Sequence, residues 1–189
     1  LHKEGMAIQR HEYDERGNEI RTSFLGVSQE PVLHVDGYAS AQMKYDDRGN
    51  QIEVAFLGTD GKPTQHREKY AIWRGRYDDR GKRVESSYLD VHGQPTMHQD
   101  GNVIWRAKYN AQGHRVEDAF YGADNELRLN REGYAIYQSK RDGFGNVVEM
   151  RFLGPDRQPI LNIYGVARWT KTYNRFGQAL VQTYFGVNG

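Results

Sequence analysis

One spacing constrains this chain more than any other feature. Gly5, Gly37, Gly101, Gly133 and Gly165 fall in step at intervals of 32 residues, and Lys69 holds the remaining place in the series. No insertion breaks the period. Numbered from Gly5 as repeat position 1, position 3 reads Ala7, Ala39, Ala71, Val103, Ala135 and Ala167. Position 13 is Gly17, Gly49, Gly81, Gly113, Gly145 and Gly177 without exception, and position 20 is always Phe or Tyr. A fixed period of this length signals supersecondary units that bury a face only against their neighbours. The chain is therefore expected to be a single repeat array over 1–189, with units 5–36, 37–68, 69–100, 101–132, 133–164 and 165–189 and residues 1–4 as the tail of a preceding unit.

Within each unit, positions 10–13 read Asp/Asn-x-x-Gly, as in Asp46-Asp47-Arg48-Gly49. Aspartate or asparagine at the first place caps turn amides, and glycine at the last supplies a positive φ, which is the chemistry of a hairpin built on a type I turn. A four-residue loop sets position 9 opposite 14, 7 opposite 16, 5 opposite 18 and 3 opposite 20. One face then gathers alanine, Trp/Tyr, Tyr, Ile/Val and Phe, and the other is mostly Arg, Gln, Lys and Glu. This register places Arg74 opposite Glu85 and Arg106 opposite Glu117, while Arg10 meets Arg21. A second Gly/Pro turn at positions 22–27 leads to a short third strand and a Gly bend. No segment shows helical periodicity.

The fold class is thus all-β, as tandem 32-residue antiparallel β-hairpin repeats in an open elongated array. The alternative is a closed ring, six-bladed and propeller-like, since only three positions are missing from six complete repeats. Three strands per unit is thin for a propeller blade of usually four. A parallel coil is disfavoured by charge. Glu53, Glu85, Glu117 and Glu149 share position 17, and such a coil would stack them about 4.8 Å apart.

Composition excludes several function classes. Lys+Arg 26 against Asp+Glu 25 gives a net charge of +1, too small for the broad positive field of a non-specific nucleic-acid binder. With no cysteine, disulfide scaffolds, thiolate zinc sites and cysteine nucleophiles are absent. No apolar run approaches the ~20 residues of a membrane span. Because the sequence begins mid-unit, it reads as a piece of a longer protein.

The segments Tyr13-Asp14-Glu15-Arg16-Gly17-Asn18 and Tyr45-Asp46-Asp47-Arg48-Gly49-Asn50 resemble the YD repeats of bacterial RHS-type proteins. The resemblance covers the hairpin core of all six units, in degraded form in the last three. It departs in period, RHS repeats being shorter, and in lacking the large surrounding shell. The Gly-Tyr-Ala and Asp-Gly-Lys-Pro combination looks more like tandem-hairpin repeats appended to bacterial multidomain proteins. The resemblance implies a bacterial, often surface-associated, non-catalytic array.

Candidate chemistry is sparse. His2, His34, His66 and His98 share position 30 with Asn130 and Asn162. Replacement by asparagine favours hydrogen bonding over metal ligation. Adjacent carboxylates such as Asp78-Asp79 read as turn caps rather than a Ca²⁺ site. Position 5 carries Trp73, Trp105, Tyr137 and Trp169, flanked by Arg74 and Arg106. Such aromatics suit sugar rings or peptide segments if exposed, and core if not. There is no GxSxG, HExxH, P-loop or dinucleotide motif, and His11, His92 and His114 are scattered over three units.

The expected function is a non-catalytic module for binding or scaffolding, with no cofactor or metal. Its partner is a protein, a cell-wall glycan or a fused domain of the parent chain, and its setting the cell surface or extracellular space. One alternative is a lectin-like carbohydrate-binding domain using the Trp/Tyr stripe with Arg74 and Arg106. The other is a structural spacer or filament subunit.

Overall fold

In the computed structural model of the chain, residues 6–189 are described; the expectations placed on Gly5 and His2 lie outside them. The described residues form twelve strands and no helix: β1 (Ile8–Tyr13), β2 (Glu19–Leu25), β3 (Ser40–Tyr45), β4 (Gln51–Leu57), β5 (Ile72–Tyr77), β6 (Arg83–Leu89), β7 (Ile104–Tyr109), β8 (Arg115–Tyr121), β9 (Ile136–Arg141), β10 (Val147–Leu153), β11 (Arg168–Tyr173) and β12 (Ala179–Phe185). Each repeat contributes one antiparallel hairpin, and hairpins follow one another in sequence order. The array is open: β1 neighbours only β2, and β12 only β11. That corrects the closed-ring alternative, for which both terminal strands would need a second neighbour.

By contact the chain divides into two compact units, Leu1–Gln99 and Asp100–Gly189. The first holds β1–β6 and the second β7–β12.

The hairpin register differs from the sequence expectation by two residues. Trp73 pairs with Tyr88, Arg76 with Glu85 and Tyr77 with Arg83. Position 5 therefore faces 20 rather than 18. Arg74 lies opposite Ser87, Arg106 opposite Ala119 and Arg10 opposite Ser23. Two local features cause the shift. The turn consumes one residue more than a four-residue loop: Asp46 N–H donates to Asn50 O and Gly49 N–H to Asp46 O, at 3.0 Å each. This is a type I turn followed by a left-handed residue and a bulge, with Gly49 at φ 82°. A second bulge leaves position 16 unpaired, as where Tyr45 meets Gln51 but Lys44 meets Glu53. Because the two shifts sum to two, side chains beyond the bulges keep the face assigned to them, whereas position 15, now opposite position 9, joins the aromatic face, as where Arg83 lies over Trp73.

The same turn recurs twice more per repeat. At position 22, Gly58 N–H donates to Lys62 O and Gly61 N–H to Gly58 O; at position 30, His66 N–H donates to Tyr70 O and Lys69 N–H to His66 O. Its left-handed place is not reserved for glycine: Gln29, Lys69, Asn125 and Arg157 hold φ between 62° and 76°. The expected third strand is not formed. Only single bridges such as Leu57–Pro63 and Leu89–Pro95 follow the second turn.

The two kinds of loop cover opposite faces near one end of the strands. In the first unit Ala41, Phe56, Tyr70 and Trp73 form a buried cluster. In the second, Ala119, Ala135 and Ile136 are buried under Leu127 and Leu153. Both are the apolar positions the repeat marks out, sealed by a loop or by the next hairpin.

Candidate functional site

Each repeating polar residue has a structural task. At position 10, Asp46 Oδ1 accepts from Arg48 N and Asn50 N at 3.0 and 2.8 Å, and Oδ2 from Asn50 Nδ2 at 2.8 Å. The Asn50 bond, with the amide bonds, holds the Asp46 carboxyl below the usual aspartate range. At position 9, the hydroxyls of Tyr45, Tyr77 and Tyr173 donate across to Glu19 O, Gln51 O and Val147 O of the preceding hairpin, at 2.8, 3.0 and 2.9 Å. At position 12, Arg16 reaches Asp47 O of the next turn, and Arg48 reaches Asp79 O at 3.1 Å.

The histidine column is a turn cap as well as a ring stack. Asp36 N donates to His34 Nδ1 at 3.2 Å and Glu68 N to His66 Nδ1 at 3.1 Å. In the later repeats Asn130 Oδ1 and Asn162 Oδ1 accept the equivalent amides, from Glu132 N and Tyr164 N, at 3.0 Å each. With Nδ1 accepting, the neutral ring carries its proton on Nε2. His34, His66 and His98 also stack on Phe24, Phe56 and Tyr88, with ring centroids 4.7, 4.6 and 4.4 Å apart. Burial pulls the His66 imidazole down, against the opposing charges of Glu68 and Asp36. Among the described residues no group of three or more His, Asp or Glu is placed to hold a metal ion.

The aromatic stripe does not form one surface. Trp73 (9% exposed) and Trp105 (8%) are core residues, and each has a guanidinium over its ring: Arg83 over Trp73 at 5.5 Å, Arg115 over Trp105 at 5.6 Å. Tyr137 is half-buried. Burial first, then Asp118, pushes its hydroxyl up to about 12. Arg74 and Arg106 lie on the opposite face from their neighbouring Trp, as alternation requires. Arg74 Nε is 2.8 Å from Glu53, and Arg106 lies 4.5 Å over Tyr121.

Two residues of the stripe line concavities: Trp73 borders a hollow of about 300 Å³ with Glu68, Arg83 and His98, and Trp169 a larger one. A groove of about 750 Å³ in the second unit is lined by Trp169, Tyr164, Tyr184, Glu132, Asn162 and Gln182, among others. Tyr164 is 75% and Tyr184 60% exposed. Sequence reasoning singled out Trp169 there but not the rest. The overlooked signal was Tyr164, which breaks the acidic column of Asp36, Glu68, Asp100 and Glu132. The groove combines aromatic faces with one carboxylate and two amides, a set able to pack against and hydrogen-bond a polyhydroxylated ring.

No family model and no curated protein matches this sequence. Its likenesses are to solved structures. The crystal structure of TcdB2-TccC3-Cdc42 is similar at 14% identity and a TM-score of 0.40, over 94% of this chain and 9% of that one. That of TcdB2-TccC3 is similar at 16% and 0.38, over 93% and 9%. The chain spans about a tenth of the length of those it resembles, and scores of this size carry no functional argument. No helix of the described residues is long and apolar enough to cross a membrane.

Proposed function

We propose that the chain is a non-catalytic β-hairpin repeat module, a binding or scaffolding piece of a larger bacterial protein. One observation supports this reading above others: the side chains that recur with the repeat are spent on its own assembly. Asp46 caps a turn, Tyr77 staples two hairpins, His66 caps and stacks, and Glu53 is held between Lys44 at 2.7 Å and Arg74 at 2.8 Å. A catalytic centre needs a nucleophile or acid–base pair converging on one open place. The repeat instead spreads equivalent groups along the sheet and satisfies each locally. The surface left over is regular and extendable, which suits display and docking.

A second reading has an observation of its own. The groove at Trp169 offers a half-buried indole with the Lys171 ammonium 5.1 Å over its ring, two exposed tyrosines, Glu132, Asn162 and Gln182, and is the best-suited place for a glycan. Of the expected stripe, this reading keeps Trp169 and assigns Trp73 and Trp105 to the core.

One experiment separates the possibilities. The chain and Trp169→Ala are screened on a glycan array, and bound glycans are recovered and sized. Absence of saturable binding is the outcome expected of a scaffold with a protein partner. Binding abolished by Trp169→Ala in a folded protein establishes the glycan reading. Shortened glycans would overturn the non-catalytic assignment.

A further inference from the structure

Three columns of the repeat are broken by arginine, and the breaks converge. Position 19 is Ser23, Ala55, Ser87 and Ala119 in the first four repeats and Arg151 in the fifth. Position 25 is Gln29, Gly61, Gly93 and Asn125, then Arg157. Position 4 is always Ile or Ser until Arg168 in the sixth repeat. The fold of the second unit brings all three to one hollow of about 350 Å³. Strand alternation sets positions 4 and 19 on the face opposite the aromatic stripe.

The sheet opposes two of these charges directly. Arg151 pairs with Arg168 where β10 meets β11. The same pair is neutral at the other junctions: Ser23 with Ser40, Ala55 with Ile72 and Ala119 with Ile136. Like charges placed opposite one another destabilise a strand pair. Glu149 offsets this only in part. Its carboxylate lies 2.8 Å from Arg151, 3.4 Å from Arg168 and 3.2 Å from Lys140, so three cations share one anion. Arg157 adds a fourth cation. It forms no ion pair among the described residues, and its charge acts on Glu117, which Lys108 already bridges at 2.7 Å. Arg157 also holds a left-handed φ of 62° where earlier repeats have Gly61 and Gly93, the residue that adopts it without strain.

The hollow belongs to the repeat, not to the last residues of the chain. A hollow of about 330 Å³ is built from the same positions in the first two repeats. There Leu25, Pro31 and Gly58 stand for Leu153, Pro159 and Gly186. The chain runs on past it through later repeats, and the hollow stays open. Ser23, Gln29 and Ser40 occupy the places of the three arginines.

We propose that the arginine-lined hollow binds a phosphate monoester. The guanidiniums of Arg151, Arg157 and Arg168 take the phosphoryl group, and the wall of Leu153, Pro159 and Val187 takes the esterified body. A dianionic phosphoryl group matches the uncompensated charge, and guanidinium forks match its oxygens. Inorganic phosphate satisfies the charge but leaves the apolar wall uncovered. This goes beyond the module reading and does not rest on it.

Isothermal titration calorimetry tests the inference, with phenyl phosphate, inorganic phosphate and benzoate as probes at low ionic strength in a phosphate-free buffer. A short Gly/Ser extension after Gly189 keeps the terminal carboxylate away from the hollow. Arg157→Gly, Arg151→Ala and Arg168→Ile each restore a residue that the repeat uses elsewhere, which preserves the fold. Phenyl phosphate is expected to bind saturably, and about tenfold or more tighter than inorganic phosphate or benzoate. Each arginine variant, with wild-type circular dichroism, is expected to weaken it about tenfold or more. Lys62→Gln, an equal loss of charge in the first unit, leaves it unchanged. Absence of saturable phenyl phosphate binding, equal affinity for inorganic phosphate or benzoate, wild-type affinity in the folded arginine variants, or an equal loss in Lys62→Gln would each overturn it.

Discussion

Tyr77 spends its ring in the sheet and its hydroxyl on a carbonyl of the preceding hairpin, 3.0 Å away. Removing only the hydroxyl, as Tyr77→Phe, is expected to lower stability by about 1 kcal/mol, read as a shift in denaturant midpoint at unchanged slope. Gly75 makes a sharper case. A Cβ built there would lie 2.4 Å from Trp73 Cη2, so Gly75→Val must displace a buried indole. The expected cost is about 1–3 kcal/mol, with a red-shifted tryptophan emission. His66 tests pH dependence. Burial lowers its pKa in the folded state, so its neutral form is favoured by folding. Its contribution is complete above the ordinary imidazole value of about 6.5 and is lost as pH falls through the lower folded value. His66→Asn keeps the capping acceptor, as Asn130 does, and is expected to flatten the stability profile across this window. If its profile matches wild type, the histidine is not titrating there. The replacement of His by Asn in the later repeats pointed in advance to hydrogen bonding in this column. The stacking on position 20 was not legible, because it depends on how the loop folds back over the sheet.

At the scale of elements, turn chemistry was readable and register was not. Asp-x-x-Gly specifies the type I turn and its left-handed residue, and both are present. The bulges after Gly49 and at position 16 leave no composition signature, since Ile20 and Val148 look like ordinary strand residues. The consequence was misassigned ion pairs. Glu85 faces Arg76 rather than Arg74, and Arg74 reaches Glu53 of the neighbouring hairpin. Similar bridges hold Glu117 to Lys108 at 2.7 Å and Glu149 to Arg151 at 2.8 Å. Burial pushes each of the Glu53, Glu117 and Glu149 carboxyls up, but the hydrogen bonds and charges of their partners outweigh it and leave them below the ordinary range. Such groups stabilise the fold above their unfolded pKa of about 4.3, and that stability disappears as pH falls through the lower folded values. The melting temperature is expected to drop steeply on acidification below about pH 4. Replacing all three glutamates with glutamine should lower the neutral-pH value and shrink the acid-induced drop, as followed by circular dichroism. The groove at Trp169 was half legible: its indole lies in a column visible in the sequence, while Gln182 on the partner strand of its own hairpin and Glu132 from an earlier repeat meet it only through the folded register.

For the whole molecule, every strand pairs only with strands adjacent in sequence, so no long-range closure locks the array. Stability in such a system is a sum over repeats and their junctions. Amides of β1 and β12, each with a single neighbouring strand, are expected to exchange with solvent before those of β4 and β5, an order measurable by hydrogen-exchange mass spectrometry under conditions that keep the chain monomeric. The period itself is tested most directly by excision. Deleting residues 37–68 removes one whole repeat and joins equivalent positions, whereas deleting 42–72 joins the middle of β3 to the middle of β5 one residue out of step and turns the remainder of that strand's side chains to the opposite face. Thermal melts followed by circular dichroism should show the 32-residue deletion folded, β-rich and modestly less stable, and the 31-residue deletion unfolded or aggregated. A 32-residue deletion that fails to fold, or two deletions that behave alike, would contradict a fold built from interchangeable hairpins sealed by their neighbours.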